Sequence, residues 1–157
     1  MKIAFLVIGK TTDKNLIILQ DDYQNRLKHY INFEYIVIPE LRNTKSLNEN
    51  DQKEKEADLI LKSIDNNDEV ILLDEKGKEF TSVGFAQFIE KKILSSYKRM
   101  VFVVGGPYGF SQRIYERAGS KISLSSMTFS HQMIRLIFTE QLYRAFTILK
   151  GEPYHHE

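Results

Sequence analysis

The sequence predicts an α/β fold, a parallel sheet with helices on both faces. Five short apolar runs rich in Val, Ile and Phe punctuate the chain at 3–9, 34–39, 69–74, 100–106 and 121–125. Three of them are nearly unbroken by polar residues, as expected of strands buried on both faces. Segments of helical periodicity lie between the runs, and strands that alternate with helices form parallel sheets.

Taken in order, the first run, "IAFLVIG", is a strand. It is too short to span a membrane and has no small-residue cleavage site after it. Asp13 then caps a helix with an apolar stripe at Leu16, Leu19, Tyr23, Leu27 and Tyr30. After the second strand, 39–50 is the most loop-like part of the chain. A highly charged segment carries a second stripe at Ala57, Ile60, Leu61 and Ile64, its charges forming a solvated face. The third strand ends in a turn at "DEKG", where Asp74 and Gly77 are good turn formers. Thr81 or Ser82 caps a helix carrying Phe85, Phe88, Ile89 and Ile93. The last helix, Ser130 to Lys150, is apolar around most of its circumference, with Ser130 as its expected cap. Such a helix must be buried nearly all round. Either it is a central core helix or, as preferred here, it packs on its own sheet and on a second copy of the chain.

The chain of 157 residues fits one domain, 1–157, and 42% hydrophobic residues supply one core. A net charge of +1 gives no global field for nucleic acid, leaving local patches as the route to such a partner. The absence of cysteine excludes disulfides, thiolate metal sites and a cysteine nucleophile, and it fits a cytoplasmic protein. No histidine or carboxylate spacing suggests a metal.

Three polar or glycine-rich connections follow strands: the turn after 74, "GGPYGF" and "SLSSMTFSHQM". In an open α/β sheet they converge at one edge and form a small-ligand cleft. The glycine turn is not a P-loop, because the Lys-Ser/Thr pair is missing, and no G-x-G-x-x-G follows the first strand. His131, in the first turn of the last helix, is read as structural. Arg113, Arg117, Arg135, Arg144 and Lys150 gather near the last helix and the glycine turn. With Tyr108, Tyr143 and Tyr154 they are candidates for contacts to phosphates and a stacked base.

"VGGPYG", "LSSMTFSHQMIRLIFTEQLYRAF" and the terminal "PYHHE" resemble the RlmH family of SPOUT-class methyltransferases. The resemblance runs over the whole chain and departs at His156, where the family carries arginine. It implies a C-terminal trefoil knot, which periodicity cannot show. It implies S-adenosylmethionine (SAM) as cofactor, held by Leu73, Gly105, Leu124, Ser125, Ser126, Met127, Thr128 and Phe129. It implies a homodimer that methylates N3 of a pseudouridine, position 1915 of 23S rRNA, in the assembled 70S ribosome. Tyr154 and His155 are then expected to orient the base or accept its proton, with Arg135 assisting. Two other readings stay open: a knotted 2′-O-ribose methyltransferase, and a non-enzymatic RNA- or nucleotide-binding module.

Overall fold

The structure, a computed structural model, describes residues 1–156; Glu157, the last residue of the tail, lies outside the described residues. Five strands form one sheet: β1 (Lys2–Ile8), β2 (Asn32–Ile38), β3 (Glu69–Glu79), β4 (Arg99–Val104) and β5 (Ser120–Ser123). Their spatial order is β2-β1-β4-β3-β5, and every adjacent pair is parallel. Among the described residues five α-helices accompany them: α1 (Lys14–Leu27), α2 (Glu49–Lys62), α3 (Ser82–Ile93), α4 (Gln112–Arg117) and α5 (Met133–Leu149).

The period-two alternation of the strands divides their side chains between two cores. Ile3, Phe5 and Val7 of β1 and Met100, Phe102 and Val104 of β4 pack under α1, α3 and α5. Ala4, Leu6 and Ile8 with Val101 and Val103 pack under α2 and α4. Both faces are covered, which is why the central strands read as continuous apolar runs.

α5 lies between α1 and α3, with the sheet beneath it. Phe138 and Leu142 are fully buried there, and Phe138 lies 4.5 Å from Phe5 and 4.8 Å from Phe102 between ring centroids. Much of its apolar circumference is therefore absorbed within the chain. Met133 stays exposed, as do Ile17, Ile18 and Leu19 of the neighbouring α1.

Four local features differ from the sequence reading. On α1 Gln20 is buried beside the expected Leu27, while Leu19 is exposed. The Gln20 amide donates to Thr139 Oγ1 at 2.6 Å, so a polar pair between α1 and α5 takes the place expected for leucine. β3 continues beyond Asp74: Leu73 and Lys78 both pair with Ile122, and the residues between them bulge outward. A Cβ at Gly77 would meet the Ile122 backbone nitrogen at 2.6 Å, so the strand can resume there only without a side chain. The helix α4 is too short for periodicity to reveal it. Finally, α5 begins at Met133, although Ser130 still accepts from the Met133 N–H through its hydroxyl (3.2 Å) and from the Ile134 N–H through its carbonyl (3.0 Å).

Asp13 caps α1 by accepting from Asn15 N and Leu16 N, and Thr81 caps α3 by accepting from Gly84 N. No helix among the described residues is long and apolar enough to cross a membrane.

Candidate functional site

A cleft of about 640 Å³ opens beside the bulge of β3 and at the carboxyl ends of β4 and β5, where open parallel sheets place their ligands. Three connections build it. The bulge after Leu73 contributes Asp74, Glu75 and Lys76. The glycine turn after β4 contributes Val104 through Phe110, folded back by a Gly109 N–H to Gly106 carbonyl bond of 3.1 Å. The connection from β5 to α5 contributes Leu124, Ser125, Met127, Thr128, Phe129 and His131.

Internal hydrogen bonds shape these loops. Ser123 Oγ donates to the Ser125 carbonyl at 2.9 Å, and the Met127 N–H donates to Ser125 Oγ at 2.9 Å. Asp74 accepts from the Lys76 N–H at 2.7 Å and from the Tyr115 hydroxyl. Burial and the bond to Asp74 push the Tyr115 hydroxyl up to about 12. Tyr115 is therefore a fixed donor at neutral pH, and Asp74 an acceptor locked on the cleft wall.

Of the residues singled out as cofactor contacts, Leu73, Gly105, Leu124, Ser125, Met127, Thr128 and Phe129 line this cleft. Ser126 does not; its hydroxyl turns away and donates to Glu79 at 2.6 Å. His131 and Tyr108, both exposed, do line it. The sequence reading missed Asp74 as a lining residue, having taken it for a plain turn former. It missed Tyr115 because the helix carrying that residue gives no periodic signal.

The tail sits elsewhere on the chain. The Tyr154 hydroxyl donates to Glu140 Oε1 at 3.0 Å and lies 3.2 Å from the Tyr23 hydroxyl. Its ring meets Tyr143 edge-on at 4.8 Å and lies under the Arg144 guanidinium at 4.7 Å. Arg144 also donates to Glu140 at 2.6 Å and stands 3.3 Å from His155 Nδ1. Burial, with the bonds to Tyr23 and Glu140, raises the Tyr154 hydroxyl well above its ordinary value, so it is neutral near pH 7. Tyr154 and His155 are thus held together against α1 and α5, outside the cleft of their own chain.

Arg135 is 2% exposed, and it also stays out of the cleft. Its guanidinium donates to the carbonyls of Ile8 (2.7 Å) and Gly9 (2.8 Å) and to Thr11 Oγ1 (3.1 Å). It clasps the end of β1. The other basic residues separate as well. Arg113 pairs with Glu54 and Asp58 of α2, and Arg117 donates to the carbonyls of Asp65 and Asp68, so both fasten α4 to α2 and the turn that follows it. Among the described residues, no group of three or more His, Asp or Glu side chains is placed to hold a metal ion.

Residues 1–155 match a family model described as "Predicted SPOUT methyltransferase". The chain belongs to the SPOUT methyltransferase family. It is 60% identical over 156 residues to a protein of Christiangramia forsetii named "Ribosomal RNA large subunit methyltransferase H", covering 99% of each chain. It is 60% identical over 157 residues to the protein of that name from Parabacteroides distasonis, covering all of both chains. The Flavobacterium johnsoniae protein of the same name is 57% identical over 157 residues, again with full coverage. The parallel α/β sheet is the architecture this SPOUT chain was expected to have.

Proposed function

We propose that this SPOUT chain, residues 1–157 acting as one domain, is a SAM-dependent methyltransferase of the large ribosomal RNA. It acts on N3 of a pseudouridine in the assembled ribosome, in the cytoplasm. The observation that carries the reading is the cleft beside the bulge of β3 and at the ends of β4 and β5, in a chain whose full-length relatives bear the name of a ribosomal RNA methyltransferase.

The cleft fits the donor in size and chemistry. About 640 Å³ lies within the usual range for sites that enclose a small ligand. Leu73, Leu124, Phe129 and Ile134 provide apolar walls, and the glycine turn, Ser125 and Met127 complete the lining. When bound, SAM supplies an activated methyl on a positively charged sulfur. The acidic side chains of Asp74 and Glu75 line the same cleft and favour a cationic ligand.

The acceptor nitrogen belongs to an imide and must lose its proton before it attacks. The new N–CH3 bond forms as the S–CH3 bond breaks, the imide proton passes to solvent, and the sulfur leaves as a neutral thioether. The chain's task is alignment of the reacting atoms and stabilisation of the imide anion.

The tail performs this second task in trans. Within one chain Tyr154 and His155 stand apart from the cleft, against α1 and α5, and these two helices also carry the exposed Ile17, Ile18, Leu19 and Met133. Covering that apolar surface with a second copy gives a homodimer, in which the tail of one subunit serves the cleft of the other. The family's trefoil knot threads the C-terminal segment, fixing the 124–129 connection against the bulge of β3.

The test is transfer of labelled methyl from SAM to 70S ribosomes prepared from a strain lacking this gene. Stoichiometric labelling of large-subunit RNA is expected. No incorporation, together with no donor binding, would return the chain to the non-enzymatic reading.

A further inference from the structure

The helix α4 is six residues long, and β5 is an edge strand of the sheet. Residues of both line a second cavity, of about 530 Å³, whose polar wall is Lys76, Gln112, Tyr115, Ser120 and Lys121. Lys76 and Tyr115 also line the cleft described above, so the two cavities share a wall.

Ile122 of β5 belongs to the core under α1, α3 and α5. Side chains alternate along a strand, so its neighbour Lys121 points to the opposite face, the side of α4. There its ammonium stands 5.4 Å from the centroid of the Tyr115 ring. The ring is itself held: its hydroxyl donates to Asp74, and Phe110 meets it edge-on at 5.8 Å. An aromatic face orients a cation without neutralising it, as a carboxylate would. Among the described residues neither Lys121 nor Lys76 makes an ion pair, and no Asp or Glu lines this cavity. Arg113 and Arg117, by contrast, are spent on α2 and the turn after it. Ser120 Oγ is buried and, among the described residues, has no hydrogen-bond partner. The adjoining cleft carries Asp74 and Glu75, whereas this cavity has two unneutralised cations and no acid. Its composition suits an anion.

We propose that this cavity binds a phosphodiester of the RNA strand whose base enters the adjoining cleft, with Lys121 and Lys76 as the cations. The inference rests on the RNA-methylation reading given above. A nucleotide within a strand is flanked by phosphates, so a strand that delivers one base to the cleft carries a phosphate past its wall. Phosphate contacts set the register of a nucleic acid and leave base identity to other groups. In a chain of net charge +1, local cations of this kind are the means of holding RNA.

The test measures binding of the intact chain, K121A, K121E and K98A to 70S ribosomes from a strain lacking the gene. Binding is read by co-sedimentation with saturating S-adenosylhomocysteine, from about 50 to about 200 mM KCl. Lys98 precedes β4, at the end of that strand away from the cleft, and is the control. K121A is expected to weaken binding about three- to fivefold, the upper scale of one exposed ion pair. K121E, which sets a like charge against the phosphate, is expected to weaken it about tenfold or more. The log–log slope of affinity against salt becomes shallower by about 0.7 to 1 in K121A. In steady-state methylation the KM for ribosomes rises in step, while kcat stays within about twofold. K98A keeps the affinity and the slope of the wild type.

Binding by K121E within about twofold of wild type overturns the inference. So does a loss in K98A as large as that in K121A, which would make the effect one of net charge alone. So does a matching loss of calorimetric affinity for S-adenosylhomocysteine in K121A, which would give the cavity to the carboxylate of the methyl donor. A wild-type chain that neither binds nor methylates these ribosomes overturns the RNA-methylation reading, and this inference with it. The two failures are therefore read apart.

Discussion

The Tyr154 hydroxyl lies 3.2 Å from the Tyr23 hydroxyl, so the C-terminal tail is tied to the first helix of its own chain. Glu140 accepts from Tyr154 and from Arg144, which stacks over the Tyr154 ring and approaches His155. The tail is a fastened element, and it presents a neutral phenol beside a histidine.

That placement gives the first prediction. Deleting residues 153–157 removes the groups assigned to the base while sparing the cleft. Methyl transfer at saturating donor is expected to fall about 10²-fold or more, the usual scale of lost positioning or acid–base assistance. S-adenosylhomocysteine affinity is expected to change by less than about twofold. Single-turnover methylation and calorimetry check the two halves separately.

Gly105 supplies a second prediction. A Cβ there would already sit 3.2 Å from the Phe110 ring and 3.3 Å from the Gly109 carbonyl. A β-branched side chain adds atoms that the turn cannot admit without shifting. Gly105→Val is expected to abolish donor binding while the far-ultraviolet circular dichroism stays that of the wild type. Unchanged binding by calorimetry would remove the glycine turn from the site.

Arg135 illustrates how far the sequence could be read. Its residue type and place near the polar connection suggested a role at the reacting groups. The structure spends its donors on Ile8, Gly9 and Thr11 instead. Arg135→Met is expected to destabilise the fold by about 2–4 kcal/mol, because it strands buried carbonyls. Urea unfolding measures this directly, and a loss under about 0.5 kcal/mol would show that the β1 clasp contributes little.

The strands were legible because both faces of the sheet are covered, which leaves an unambiguous apolar signal. The cleft was legible because its walls are strand-end connections with turn and glycine chemistry. What stayed hidden depended on tertiary contact. Gln20 is buried because Thr139 meets it across the α1–α5 packing, which no local pattern records. The resumption of β3 after its bulge requires Ile122, distant in sequence, to pair twice. Likewise, nothing local marks Glu56 of α2, which is buried, as different from the solvated charges around it.

Glu56 also gives a pH prediction. Burial raises its carboxyl above its ordinary value, with the Gln52 hydrogen bond opposing and the exposed Glu40 adding to the rise. The folded chain therefore holds this proton more tightly than the unfolded chain. The corresponding stability is full below the unfolded value and is lost as pH rises through the folded one. E56Q does not titrate there. Its melting temperature relative to wild type is expected to rise between about pH 4 and pH 8, a range that begins near the unperturbed carboxyl value. A difference that stays flat over this range in differential scanning calorimetry would contradict the assignment.

The central claim, that this SPOUT chain methylates a pseudouridine base of ribosomal RNA, is tested most directly by identifying the product nucleoside. Ribosomes from a strain lacking the gene, incubated with the pure protein and SAM, are digested and analysed by mass spectrometry with fragmentation. The account predicts one added methyl group on a pseudouridine of large-subunit RNA, the product matching an authentic N3-methylpseudouridine standard in retention and fragmentation. A product matching the 2′-O-methylpseudouridine standard, or no added methyl despite donor binding, would contradict it.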